Sequence, residues 1–178
     1  MFQAAIDSDT HLTILEIRHA KELFTLIDKN REHLGKWLSF PEKTNQVEDT
    51  VKFIERSLNR FSEHNGYWAG IWHQGEMAGS IGFLYMDRDA RKTEIGYWLG
   101  SGFAGKGIAT KAVTTMVNHA FYDLNLNKVE INVATENHKS RAIPERLRFT
   151  QEGIIRHFEN LNGVYLDRVI YGILKSEW

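Results

Sequence analysis

The segment Gly100–Ala109 constrains the fold of this chain more than any other, because the hydrophobic period changes across it. Before it, Tyr67–His73, Met77–Tyr85 and Thr93–Leu99 are apolar runs of strand length separated by short connections. Gln74-Gly75-Glu76 is a hairpin signal, and strands joined this tightly must be antiparallel. After it, Ala109, Ala112, Val113, Met116, Val117, Ala120, Phe121 and Leu124 recur at helical steps, which predicts a helix over Gly107–Leu124. A glycine-rich loop thus joins an antiparallel meander to a helix in mid-chain.

The other elements follow the same rules. His11–Ile17 predicts a first strand, and Ala20–Leu38 one or two helices ending before Pro41. Val47–Phe61 is a strongly amphipathic helix, and Lys128–Ala134 alternates as a strand with Val129, Ile131 and Val133 on one face. A short helix is expected around Ser140–Leu147, with Ser140 as its cap and Pro144 in its first turn. Two strands, Phe149–Ile155 and Val164–Leu174, close the chain around Asn162-Gly163. The expected architecture is α+β: a single mixed, mostly antiparallel sheet flanked by helices, in one domain over residues 1–178.

Composition narrows the chemistry. The absence of cysteine excludes disulfides, thiolate catalysis and Cys-ligated zinc. Eight histidines include no H-E-x-x-H pair, so no metal is expected. A formal net charge of −1 gives no overall basic field for nucleic acid or membrane, although a local patch can still meet a basic protein. No apolar run approaches the ~20 residues of a spanning helix. Met1–Thr10 lacks a signal pattern, so a cytoplasmic protein is expected.

The glycine loop satisfies more than one phosphate-binding pattern. Gly100, Gly102 and Gly105 fit G-x-G-x-x-G, but that fingerprint opens a series of strand–helix–strand units, which is missing here. Gly100 to Lys106 fits G-x-x-x-x-G-K, but the next residue is Gly107, which has no hydroxyl for magnesium. What remains is a helix N-terminus whose free N–H groups and positive dipole end suit a diphosphate, or a loop that only turns the chain. Gly105 and Gly107 would let phosphate oxygens approach the backbone, with Lys106 adding charge.

From Ala104 through Gly105, Lys106, Gly107 and Ile108 to Ala109, the segment resembles the acyl-CoA loop of the GNAT acetyltransferases, Gln/Arg-x-x-Gly-x-Gly/Ala. Ala104 stands where Gln or Arg is usual. Asn137, Ser140, Leu147 and Phe149 match the family's next motif, with Arg148 in place of its glycine. Thr93–Leu99, Asp167–Trp178 and the Asn30–Leu38 segment are similar to the Rim-type branch, the ribosomal-protein N-terminal acetyltransferases.

The resemblance implies the GNAT acyl-CoA N-acyltransferase fold, with acetyl-CoA as co-substrate lying between two splayed strands, Thr93–Leu99 and Lys128–Ala134. It implies cofactor contacts from Trp98, Leu99, Gly100, Ala104, Gly105, Lys106, Gly107, Ile108, Ala109, Thr110, Asn137 and Ser140. The N–H of Leu99 or Gly100 would polarise the thioester carbonyl. An attacking amine must be neutral, so Glu94 is the expected base, acting directly or through water, and Ser140 would protonate or hydrogen-bond the leaving thiolate. Trp37 and Tyr97 are the expected acceptor contacts; Trp68, Trp72 and Trp98 line that pocket or belong to the core. The expected acceptor is the N-terminal α-amine of a protein, a ribosomal one by the resemblance to the Rim-type branch. A small amine (polyamine, aminoglycoside or amino acid) and a non-catalytic acyl-CoA sensor stay open. Strand edges and exposed aromatics leave room for a homo-oligomer.

Overall fold

A computed structural model describes residues 3–178; residues 1 and 2, the start of the segment read for a signal pattern, lie outside the described residues. The strands are β1 (Gln3–Ala5), β2 (Thr10–Ile14), β3 (Tyr67–His73), β4 (Glu76–Asp87), β5 (Lys92–Leu99), β6 (Lys128–Ala134), β7 (Thr150–Leu161) and β8 (Val164–Leu174). They form one sheet in the order β1-β2-β3-β4-β5-β6-β8-β7. Among the described residues only β5 and β6 pair in parallel, because the helix between them returns the chain to the same end of the sheet. Between β2 and β3 lie α1 (Ala20–Lys29), α2 (Arg31–Gly35), α3 (Phe40–Lys43) and α4 (Val47–Ser62). The later helices are α5 (Ile108–Asn118) and α6 (His138–Arg146).

Both hairpin signals form turns that match the strand twist. Gln74 and Gly75 have φ of 52° and 82°, and Asn162 and Gly163 have 54° and 85°, positive at both central positions. Each sheet face carries its own core. Ile81, Phe83, Ile95, Ile131 and Tyr171 pack with Val113, Val117 and Phe121 from α5 and the turn that follows it. On the opposite face, Leu23 and Ile27 of α1 and Ile54 of α4 pack with Leu15, Trp72 and Trp98. Two-sided burial explains why the central strands read as nearly continuous apolar runs.

The structure departs from the sequence reading at several ends. β1 was not legible; three exposed residues carry no pattern of their own. The expected strand His11–Ile17 stops at Ile14, and Ile17–His19 forms a 3-10 turn leading into α1. The two helices α1 and α2 do end before Pro41, but Pro41 itself lies in the first turn of an unexpected short helix, α3, where its missing N–H has no helical acceptor to lose. The helix after the glycine loop is regular only to Asn118, and His119–Asp123 continues as a wider π turn. α6 starts at His138, capped by Asn137 and not by Ser140, and Pro144 falls in its second turn. β7 runs to Leu161, well past Ile155, because its mostly exposed side chains show no buried face to read.

Candidate active site

The parallel pairing of β5 with β6 ends almost where it begins. Lys92 faces Lys128, Thr93 faces Val129 and Glu94 faces Glu130; the strands then part, and Ile95–Leu99 have no partner on β6. A parted pair of central strands leaves a row of backbone donors and acceptors for a ligand that can act as an added strand. The Gly100 N–H is not among them, since it donates to the Ala78 carbonyl at 2.9 Å. Backbone groups alternate along a strand, so Trp98, opposite Ser80 of β4, also turns its N–H away from the gap. Tyr97 and Leu99 point theirs into it. Of the two N–H groups expected to polarise the thioester, that of Gly100 is thus engaged elsewhere and that of Leu99 faces the gap.

Beyond β5 the chain forms the loop that starts α5. Gly105 and Gly107 have φ of 79° and 76°, which favours glycine over any residue with a Cβ. Nothing lies within 4 Å of where a Cβ would stand at either, so the space above the loop is open. The first intrahelical bond runs from the Lys111 N–H to the Gly107 carbonyl at 3.1 Å. The N–H groups of Ile108, Ala109 and Thr110 therefore have no helical acceptor. Ile108 is buried and anchors the helix, while Ala104, Lys106 and Gly107 are exposed. Arg146 of α6 donates to Thr110 Oγ1 at 2.8 Å, bringing a second cation to the same end. An open cradle of free N–H groups with cations beside it fits the diphosphate of coenzyme A.

The start of the loop is held from a distance. Asn30, at the end of α1, accepts hydrogen bonds from the Ser101 N–H (2.8 Å) and Ser101 Oγ (2.9 Å), while its own amide donates to the Leu26 carbonyl. No sequence pattern links residues so far apart, and Asn30 was not singled out.

Glu94 stands at the last rung before the strands part. Burial pushes its carboxyl above the usual carboxylate range; Glu130 adds to the rise, while Arg168, Asn132 and Lys92 oppose it. Its neighbour Glu130 behaves differently. Burial works against its charge, but Lys128 at 3.0 Å and the Tyr85 hydroxyl at 2.8 Å outweigh it and hold that carboxyl below the usual range. Asn132, two residues beyond Glu130 and so on the same face of β6, has a buried Oδ1 with no partner among the described residues. Tyr85, Glu130, Asn132 and Arg168 are thus site neighbours that the sequence did not identify.

On the other face, Ser140 lies at the third position of α6. The Asn137 carboxamide oxygen accepts its N–H at 3.3 Å, which makes Asn137 the holder of the local turn. Ser140 Oγ donates to the Tyr97 hydroxyl at 3.2 Å, and that hydroxyl donates to the Ser140 carbonyl at 2.9 Å. Tyr97, expected among the acceptor contacts, is thereby tied to Ser140 by two hydrogen bonds. Burial pushes its hydroxyl above the ordinary phenol range, with Ser140 pulling the other way. Trp72 and Trp98 are core residues and Trp68 packs on Phe53. Trp37, half-exposed in the turn after α2, belongs to neither core. Among the described residues, no group of three or more histidines and carboxylates could hold a metal ion.

Comparison with known proteins agrees with this geometry. Residues 11–150 match the model of the acetyltransferase (GNAT) domain. The putative ribosomal N-acetyltransferase YdaF of Bacillus subtilis (strain 168) is 38% identical over 179 residues, covering 100% of this chain and 98% of that protein. Among solved structures, microcin C7 self-immunity acetyltransferase MccE in complex with acetyl-CoA and AMP superposes with a TM-score of 0.90 at 31% identity, covering 95% and 94% of the chains. RimL, a ribosomal L7/L12 α-N-protein acetyltransferase in complex with coenzyme A, gives 0.93 at 26% identity and 97% of both. The cradle at the start of α5, the parted strands and these full-length likenesses lead to one conclusion: the chain belongs to the GNAT acetyltransferase family and is an acetyl-CoA-dependent N-acetyltransferase.

Proposed function

We propose that the acceptor is the N-terminal α-amine of a protein, specifically a ribosomal protein, and that the reaction takes place in the cytoplasm. The observation that carries this reading is the pairing of the other carboxylates on this side with cations. Glu130 pairs with Lys128 and with Lys92 at 3.5 Å, and Glu159 pairs with Arg168 at 2.7 Å. A polyamine would call for several uncompensated carboxylates, whereas a peptide terminus has a single amine and neutral amides behind it. The unpartnered Asn132 Oδ1 beside Glu94 suits an N–H of such a peptide. The names of relatives support it too, since a 29% identical protein of Escherichia coli (strain K12) is called ribosomal-protein-serine acetyltransferase.

Acetyl-CoA, when bound, supplies an acetyl group activated as a thioester. The N–H groups of Ile108–Thr110 and the side chains of Lys106 and Arg146 would hold its diphosphate. The Leu99 N–H donates to the thioester oxygen as charge develops there. Glu94, its carboxyl raised by burial, takes the proton of the acceptor ammonium directly or through water. Ser140 would turn its hydroxyl to hydrogen-bond or protonate the departing sulfur, regaining from solvent any proton it gives. Trp37, half-exposed outside the cores, would contact the acceptor.

The test is thiol release from acetyl-CoA with peptides bearing ribosomal-protein N-termini, against polyamines and aminoglycosides. Peptide acetylation is the expected result. Turnover confined to small amines would move the acceptor to that class, and tight acetyl-CoA binding without turnover on any acceptor would make the protein a sensor.

A further inference from the structure

In an unbroken α-helix the Ser140 carbonyl would accept the N–H of residue 144. That residue is Pro144, which has no N–H and lies inside α6. The vacated carbonyl does not go unpaired, because the Tyr97 hydroxyl donates to it at 2.9 Å. With its proton placed there, the Tyr97 oxygen is left to accept, and it does so from Ser140 Oγ at 3.2 Å. Position gives the arrangement its meaning. Tyr97 lies on β5 three residues beyond the last β5–β6 rung at Glu94, and Ser140 lies on the helix that follows β6. The two bonds therefore span the gap where the ladder no longer holds its sides together. Behind Ser140, Arg141 donates to the Thr135 carbonyl and to the Tyr171 hydroxyl, both at 2.9 Å, which fixes α6 against β8.

We infer that Pro144 and Tyr97 are positioning residues for Ser140. The proline leaves the Ser140 carbonyl open, the phenol fills it, and the clasp sets the width of the acyl-CoA gap and the rotamer of the Ser140 hydroxyl. This inference rests on the reading of Ser140 as proton donor only for its effect on turnover; the effect on gap width stands apart from it. Pro144→Ala restores a helical N–H that competes with Tyr97 for the carbonyl, and removes an interior proline that disfavours the helix.

The experiment compares the wild-type chain with Pro144→Ala, Tyr97→Phe and the double variant, measuring kcat, melting temperature and coenzyme A affinity by calorimetry. For Pro144→Ala the expected result is an unchanged or higher melting temperature with kcat lower by about two- to ten-fold, the range of one neutral hydrogen bond. Tyr97→Phe should lower kcat to a similar degree. The double variant should be no worse than the single variants, since both act through one clasp. Losses that multiply, or wild-type kcat in Pro144→Ala, overturn the inference, as does a fall in kcat that only tracks a fall in melting temperature. If Ser140→Ala turns over normally, the proton-donor reading fails, and the clasp is then judged on coenzyme A affinity. Non-additive weakening there upholds it; unchanged affinity in both single variants overturns it.

Discussion

Glu94 and Arg148 carry their environments in opposite ways. Glu94 sits beside Glu130 in a half-buried position that favours its neutral form, so its folded-state pKa is raised. A group of this kind favours folding below its unfolded pKa and loses that contribution as pH rises, while activity as a base appears only as the proton leaves. kcat/KM should therefore rise with pH through this raised carboxyl pKa. In Glu94→Gln that acid limb should vanish and kcat/KM drop by about a hundred-fold or more, with no loss of melting temperature at neutral pH. A pH–rate series with parallel melts checks both. Arg148 stores strain with no such role. Its φ of 62° is a left-handed conformation at a position where the family pattern has glycine, costing about 1–2 kcal/mol for a residue with a Cβ. Glycine gives back part of that relief through unfolded-chain entropy. Arg148→Gly should be more stable by about 0.5–1 kcal/mol, raising the melting temperature by roughly 1–4 °C in thermal unfolding.

Helix ends do much of the work at the scale of elements. The start of α5 supplies the free donors, and the end of α1, through Asn30, holds the chain that delivers them. Asn30→Ala removes both bonds to Ser101, each worth about 0.5–1.5 kcal/mol. Acetyl-CoA affinity measured by calorimetry should weaken by roughly ten-fold, while kcat at saturation stays close to wild type, because neither Glu94 nor Ser140 is touched. The glycine loop was legible as a phosphate cradle because left-handed glycines and a helix start are local properties of sequence. The tie from α1 was not, because residues 30 and 101 meet only when α1 packs on the sheet. α6 is similar: its existence could be read, but Asn137 and Ser140 are both good caps, and only the packed helix shows which of them is used.

The whole molecule is a sheet with a division in the middle. β1 to β5 form one side and β6, β8 and β7 the other, joined by three paired positions and by the covering helices. A ligand lying in the division contacts both sides, so binding should stabilise the fold as a unit. Acetyl-CoA at a hundred times its dissociation constant adds about 2.7 kcal/mol, which corresponds to a rise in melting temperature of about 5–10 °C for a chain of this size. Scanning fluorimetry with and without acetyl-CoA measures it, and no shift at saturating ligand would count against the cradle. By itself the sequence determined the local matters: the antiparallel meander Tyr67–Leu99, the hairpin turns and the glycine loop with its helix, while its motifs carried the resemblance to the family and its coenzyme. These follow from periods and backbone preferences that act within a few residues. Only the tertiary structure decided which N–H faces the gap, which carboxylate keeps a raised pKa, and that Tyr97 meets Ser140. Those outcomes depend on strand register and on charges brought together from distant parts of the chain, and no local pattern encodes them.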